Sequence, residues 1–415
     1  MPILTDISWL AQCRDEGGQA GIQPIENAAV VYRDGVIEWV GREADLPSAY
    51  AEEPRVSAGG QAVVPGLIDC HTHLLFGGWR ADEFAARLAG KSYLDIAREG
   101  GGIRKTVRQT RAASDGALLE HGLRYLRAMR RLGVTAIEAK TGYALSLEQE
   151  MRMLLLYRQL NELQEVEIVP TLLAAHIFPD FDKCNLAGYI SMITDELIPQ
   201  VAAAGLAEFN DVFVEDTAFT IEHARRILEA GRKHGLRPKL HVDQLHDGGG
   251  AALAASVEAV SADHLEFTGK AGAEAMAAAG TVAVALPLAS LYLKQPPMDA
   301  RMFVDAGAAV AVATDFNPGS APSYDLPLAL MLSCTMNRLT PAEALKGATL
   351  YAARAMGRED VMGSIEPGKH ANFTVLEVPD VNHWLYHFRS DACTATFIKG
   401  ERSHDPAYHH DRRHD

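Results

Sequence analysis

Two histidines separated by one residue, His71 and His73 in LIDCHTHLL, close an apolar run. On an extended backbone, positions i and i+2 point the same way, so both imidazoles can face one cation while Thr72 points away. Three later segments also carry polar groups just after apolar runs: His241 in KLHVDQL, Asp263 and His264 in SADHLE, and Asp315 in ATDFNPGS. His71, His73, His241 and Asp315 together offer three nitrogens and one carboxylate. That ligand set suits zinc or ferrous iron and leaves room for water. Water in such a site is acidified from a pKa of about 15.7 to around 7, and its proton needs an acceptor. His264 titrates in the useful range and is expected to be that acceptor, with a fifth-ligand role as its alternative. Asp315 can accept a proton as well as bind the ion, and can pass it to a leaving nitrogen.

These residues meet only if the chain gathers them. Between residues 62 and 313, short apolar or β-branched runs alternate with longer segments of helical spacing, the pattern of strand, crossover helix, strand units. Eight strands are expected, at 62–69, 135–139, 167–176, 211–215, 238–243, 259–264, 281–287 and 309–315. Their near-continuous apolar character suits parallel strands buried on both faces, and eight in series close a TIM-type (β/α)8 barrel. Catalytic groups in that fold sit at the C-terminal strand ends, which is where the four ligands and His264 fall. Residues 1–61 read differently. IENAAVVYRDGVIEWVG alternates about the hairpin dipeptide Asp34-Gly35, and short strands resume in GSIEPGKHANFTVLEVPD and TATFIKGE after a helix-like PAEALKGATLYAARAMG. Residues 1–61 and 359–415 are therefore expected to build one small accessory β domain beside a barrel at 62–358. The polar, His-rich stretch 404–415 reads as a frayed tail with no assigned role.

Composition narrows the partners. With 39 Lys+Arg against 54 Asp+Glu, the 415-residue chain carries a formal charge of −15, which argues against nucleic acid or an anionic membrane surface. Its apolar stretches, such as 281–291 and 306–314, fall well short of the roughly 18 residues that cross a bilayer. The N-terminus has no basic head ahead of its apolar stretch and does not read as a secretory signal. Five scattered cysteines, Cys13, Cys70, Cys184, Cys334 and Cys393, lack the spacing of a disulfide or zinc-thiolate framework, so they are expected to be reduced, in the cytoplasm.

The segments PGLIDCHTHLLFGGWRADEF, GKSYLDIAREGGGI, AKTGYALSLEQEMRML, AAHIFP, KLHVDQL, GGGAALAA, SADHLE and ATDFNPGSAPS, spread over about residues 65–355, resemble the amidohydrolase superfamily and, more narrowly, its imidazolonepropionase family. The resemblance implies hydrolysis of the ring amide of 4-imidazolone-5-propanoate to N-formimidoyl-L-glutamate in histidine degradation, with one divalent metal ion, Zn2+ or Fe2+, per chain and a homodimeric assembly. It also implies a small anionic imidazolone substrate. Arg80 in GGWR matches the family's carboxylate-binding arginine, and a guanidinium fork can grip a carboxylate bidentately. Tyr143, His176, Gln244, Asn317, Gly319 and Ser320 match positions that contact the substrate.

Three other readings compete. A pyrimidine or purine deaminase-like enzyme on the same barrel would place a glutamate three residues after the strand-five histidine to protonate a ring nitrogen; Gln244 stands there and cannot shuttle a proton. A binuclear hydrolase would need Lys140 or Glu215 as a bridge. A catalytically dead scaffold would have no need of four ligands, a base and an anion clamp together.

Overall fold

In the computed structural model, residues 2–91, 95–96, 99–179, 185–216 and 218–404 are described. Cys184 and the tail beyond His404 lie outside them. Eight parallel strands form one sheet in chain order: Leu67–Thr72, Val134–Lys140, Glu167–Ala175, Phe209–Val214, Arg237–Val242, Ser261–His264, Val282–Ala285 and Val310–Val312. They are called barrel strands one to eight. The sheet closes on itself at a seam where Thr72 bridges to Phe316, His73 N–H donates to Phe316 O at 2.9 Å and Asp315 N–H donates to His71 O at 3.0 Å. Asp69 fastens the seam from inside, accepting from Thr314 N at 3.0 Å and Thr314 Oγ1 at 2.6 Å. The TIM-type barrel is thus the architecture, and its strands are buried along almost their whole length.

The second sheet has seven strands in the order Glu401–His404, Cys393–Ile398, Phe373–Leu376, Arg55–Pro65, Ile3–Ala11, Pro24–Arg33, Val36–Arg42. Both chain ends contribute, as the alternating patterns predict. Asp34 and Gly35 turn its N-terminal hairpin with φ of 50° and 79°, the pair of left-handed residues that a type I′ turn requires.

Several boundaries differ from expectation. The run at 62–69 is not one strand: its first part ends the accessory strand Arg55–Pro65, and the barrel begins at Leu67. Gly66 makes the junction, where a Cβ would come within 2.5 Å of the Thr135 side chain. Strand seven stops at Ala285 because Pro287 opens the helix Pro287–Leu293, its fixed φ suiting the first helical turn. Strand eight stops at Val312, ahead of the backbone turn at Asp315. The expected helix at 341–357 is two, Pro341–Gly347 and Leu350–Ala355.

The outer helices follow simple rules. In Asp115–Arg131, the Ser114 hydroxyl accepts from Ala117 N at 3.2 Å at the N-terminus, and Arg130 and Arg131 sit in the last turn against the helix dipole. Leu118, Gly122, Leu126 and Met129 form its buried stripe.

The far end of the barrel is sealed by the N-terminal segment. Gln19 donates to Val310 O at 2.8 Å and Glu343 O at 3.1 Å and accepts from Val310 N at 3.0 Å. The buried Lys346 ammonium donates to the carbonyls of Glu16, Gly18 and Gly21 at 3.0, 2.7 and 2.8 Å. Lys346→Met would leave three carbonyls without their charged donor, and a bond to a charged group contributes about 1.5–3 kcal/mol. We expect the urea unfolding midpoint to fall by the equivalent of about 3 kcal/mol, with saturated turnover unchanged because the mouth is at the opposite end. An unmoved midpoint would show that this contact seals nothing.

Candidate active site

The alternation that makes His71 and His73 neighbours also builds the layers beneath them. Side chains two apart on a barrel strand share a face, so Glu138 and Lys140 point together, as do Lys239 and His241, and Ser261 and Asp263. In the parallel register, Asp263 lies beside His241, and Lys239 lies between Asp211 and Ser261. All of these groups are buried.

At the mouth, His71, His73 and Asp315 bring ligand atoms within 4.8 Å of one another, and His71, His241 and His264 do the same. The ring centroids of His71 lie 5.3 Å from His73, 4.4 Å from His241 and 5.9 Å from His264. The four expected ligands and the expected base therefore converge, with His71 at the centre. Burial, reinforced by neighbouring positive charge, holds His71, His73 and His241 well below the ordinary imidazole pKa. They are neutral, the state in which imidazole donates a lone pair to a metal. Nε2 of His71 and of His241 have no hydrogen-bond partner, and Asp315 Oδ1 stands 3.4 and 3.5 Å from Nε2 of His71 and His73. Burial also pushes the Asp315 carboxyl up to about 7, against the pull of His264. Unpartnered lone pairs beside a carboxylate short of positive charge are what a divalent cation satisfies, and these residues fit one.

His264 leaves strand six with φ of 81°, and Leu265 follows at 65°. Asp243 after strand five and Asp315 after strand eight are left-handed too, at 52° and 55°. Asp and His visit this region more readily than most residues, whereas Leu adopts it at a cost, and such positions cluster at functional sites. His264 Nδ1 lies 3.4 Å from Glu266 Oε1, which also accepts from Ser290 Oγ at 3.2 Å. Burial opposes the charged form of His264, but the Glu266 carboxylate outweighs it and raises the pKa to about 8.

The other expected contacts behave individually. Tyr143 and His176 sit beside the cluster: the His176 ring stacks on His73 at 5.2 Å, and Tyr143 is tilted against both, 5.6 Å from His73 and 5.4 Å from His176. His176 Nδ1 is 3.2 Å from Gly142 O, and burial lowers its pKa to about 4, so the ring is neutral with Nε2 as acceptor. Burial pushes the Tyr143 phenol up, which keeps it a hydroxyl. The Gln244 side chain has no hydrogen-bond partner among the described residues. Arg80 is not absorbed by a surface ion pair: Asp82 binds Lys105 instead, and Glu83 is 4.0 Å away. Its Nε donates to Pro318 O at 3.4 Å, and its guanidinium lies so close over Gly319 that a Cβ there would sit 1.3 Å from Nη2.

The Asn317 amide is used locally. Its Nδ2 donates to Asp315 O and Ser320 Oγ at 2.6 and 2.9 Å, while Oδ1 accepts from Gly319 N and Ser320 N at 2.7 and 2.8 Å. The amide shapes the loop. Ser320 Oγ in turn lies 3.4 Å from Asp315 Oδ2.

Several residues outside the expected set support the mouth. Asp243 accepts from Gly248 N, Gly250 N, Ala251 N and Thr268 Oγ1. The buried Glu150 accepts from Ala144 N at 3.1 Å and Leu145 N at 2.7 Å, holding the loop that carries Tyr143. Asp263 Oδ2 receives His71 Nδ1 at 2.7 Å, and Asp211 Oδ2 lies 3.0 Å from His241 Nδ1 but off the line of a hydrogen bond. Lys140 stands between these two carboxylates. Glu215, the other suggested bridge, turns both oxygens away from the cluster, to Leu245 N and His246 Nδ1 at 2.8 Å each.

Residues 62–402 match the amidohydrolase family. The chain is 45% identical over 382 residues to the imidazolonepropionase of Geobacillus sp. (strain WCH70), covering 91% of this chain and 90% of that one. It is 44% identical over 392 residues to that of Cupriavidus pinatubonensis (strain JMP 134 / LMG 1197), covering 94% and 92%. In fold it is similar to an adenosine deaminase from Xanthomonas campestris with bound zinc, at a TM-score of 0.72, 19% identity and coverage of 97% and 92%. It is equally similar to the guanine deaminase of E. coli, at 0.72, 15% identity and coverage of 98% and 100%. At such identities these two bear on the fold alone. Among the described residues no helix is long and apolar enough to cross a membrane. Matched over about nine-tenths of its own length, and of theirs, by imidazolonepropionases, the chain belongs to the amidohydrolase family and, within it, to the imidazolonepropionases.

Proposed function

We propose that this chain hydrolyses the ring amide of 4-imidazolone-5-propanoate to N-formimidoyl-L-glutamate, the reaction of histidine degradation. The observation that carries the reading is the gathering of His71, His73, His241, Asp315 and His264 at one mouth, with a guanidinium seated beside them. His71, His73, His241 and Asp315 would hold one divalent ion, zinc or ferrous iron. When bound, such an ion supplies Lewis acidity and makes hydroxide available from water near neutral pH. A third group able to hold a cation, Asp211, His241 and Asp263, already faces the Lys140 ammonium at 2.8 Å from Asp211 Oδ2 and 3.1 Å from Asp263 Oδ2. That supports a single ion per chain.

The chain's own side chains divide the remaining work. Arg80 pairs with the propanoate carboxylate, and Gly319 gives its guanidinium room to lie flat on the loop. Tyr143, His176, Gln244 and Ser320 surround the ring, with Tyr143 donating and His176 Nε2 accepting, and Asn317 keeps that loop in shape. His264, its Nδ1 turned to Glu266, accepts the water proton at Nε2. Asp315 takes the second proton of the attacking water and hands it to the ring nitrogen as the carbon–nitrogen bond breaks, while His264 releases the first to solvent, so one water is consumed, one amide opened and both side chains are regenerated. A ring deamination is less well served, because Gln244 stands where it needs a carboxylate. Buried, unpaired thiols at Cys13, Cys70 and Cys393 suit a reducing cytoplasm, and the family likeness supports a homodimer.

Incubating the zinc- or iron-loaded protein with freshly generated imidazolonepropionate should bleach the substrate's ultraviolet absorbance. Chelation should stop the reaction and metal should restore it; a silent assay with metal present would favour a scaffold or another substrate. His264→Ala should keep its metal by elemental analysis and lose turnover by about 10²–10⁴-fold, and normal turnover would remove this residue as the base. Arg80→Ala should raise KM with little change in kcat. Because the two groups occupy the same space, Gly319→Ala should fold normally, raise KM likewise, and add little to Arg80→Ala in the double variant. An unchanged KM in Arg80→Ala would refute the clamp.

A further inference from the structure

Below the mouth, five charged side chains fill the barrel with no exposure to solvent: Glu138, Lys140, Asp211, Lys239 and Asp263. The proposed reaction uses none of them. Burying an ion without a partner costs several kcal/mol even after relaxation, so their arrangement is constrained. Lys140 Nζ lies 2.8 Å from Glu138 Oε1, 2.8 Å from Asp211 Oδ2 and 3.1 Å from Asp263 Oδ2. Lys239 Nζ meets Glu138 Oε2 at 2.5 Å, and Thr171 Oγ1 donates to Glu138 Oε1 at 2.5 Å. The two lysines are equally buried but differently placed: among the ion pairs of the described residues, only Lys140 joins the aspartates, and Lys239 pairs with Glu138.

The aspartates in turn face the imidazoles. Asp263 is held at both oxygens, Oδ1 by Ser261 Oγ at 2.9 Å and Oδ2 by His71 Nδ1 at 2.7 Å together with Lys140. A carboxylate at Nδ1 keeps the proton there and leaves Nε2 as the lone pair, and His71 Nε2 is the unpartnered atom beside Asp315. If the carboxylate swung away, His71 Nδ1 would lose the one hydrogen-bond partner it has among the described residues, and with it the bond that sets the ring's tautomer.

We infer that Lys140 is a positioning residue for the metal centre: its ammonium pins the Asp263 carboxylate that orients His71, and holds Asp211, whose carboxylate lies close to His241 without a hydrogen bond to it. The inference rests on the ligand set proposed above. It also gives Lys140 a role distinct from a metal bridge, since its ammonium is already enclosed by three carboxylates.

The test is metal affinity, measured apart from turnover. Metal-depleted wild type, Lys140→Met and Lys239→Met compete for zinc against a chromogenic chelator of known affinity, with circular dichroism to verify folding. Lys140→Met should bind zinc about 10–100-fold more weakly, the range found when an outer-shell partner of a ligand is lost. Lys239→Met, which removes an equal buried charge that pairs with Glu138 and makes no ion pair with either aspartate, should be weakened markedly less. Unweakened binding in Lys140→Met, or equal weakening in both variants, would overturn the inference. Should Lys140→Met fail to fold, the near-isosteric Asp263→Asn carries the same expectation, and unweakened binding there overturns it equally. His71→Ala is run alongside. If that variant holds zinc as wild type does, the ligand set itself is wrong; if it loses zinc while Lys140→Met keeps it, only the positioning role falls.

Discussion

A dry barrel lumen cannot solvate charge, and this constraint organises the molecule. Three carboxylates and two ammonium groups lie where water does not reach, and each is stable there only because it meets an opposite charge within about hydrogen-bond distance. The partners come from barrel strands two, four, five and six, so the ionic layer also ties the strands' register together. A slip of one residue would turn Glu138, Lys140, Lys239 and Asp263 toward the apolar helices. The imidazoles above rest on this layer as much as on their own strands.

The mouth is made of loops, yet those loops are held by side chains bonded to their backbones. Asp243 gathers four donors, Glu150 pins the turn behind Tyr143, and Asn317 spends all four of its bonds on its own segment. Buried acceptors that find backbone N–H groups need no cation, and they make an irregular segment nearly as rigid as a strand. The pocket's shape therefore depends on residues that never meet a ligand.

Much of this was legible in advance. The i, i+2 histidines, the polar groups after apolar runs and the hairpin dipeptide each reflect a local rule, and the barrel followed from their number and order. The ionic layer was half visible: Glu138 and Lys140, or Lys239 and His241, share a face by alternation alone. Which carboxylate meets which ammonium was not legible, because Lys239 and Glu138 are 101 residues apart and Lys140 and Asp211 are 71 apart. Nor was the use of Gly319 legible. A glycine permits a close approach, but that the approaching group is Arg80, 238 positions from Pro318, depends on how two loops fold over the mouth. Asn317 had the chemistry to read a ring nitrogen, and only its surroundings reveal that every bond is taken.

The exits from strands five, six and eight leave through left-handed residues that are not glycine, and two of them, His264 and Leu265, are consecutive. At Leu265 such a backbone costs on the order of 1–3 kcal/mol, an appreciable share of a domain's net stability. Glycine would relieve it, but Leu265 is buried in the main core, and emptying a buried leucine site costs about 2–5 kcal/mol. Glycine at 264 would relax the chain only by discarding the imidazole. The tension in this pair is thus locked from two directions, by chemistry at its first residue and by packing at its second.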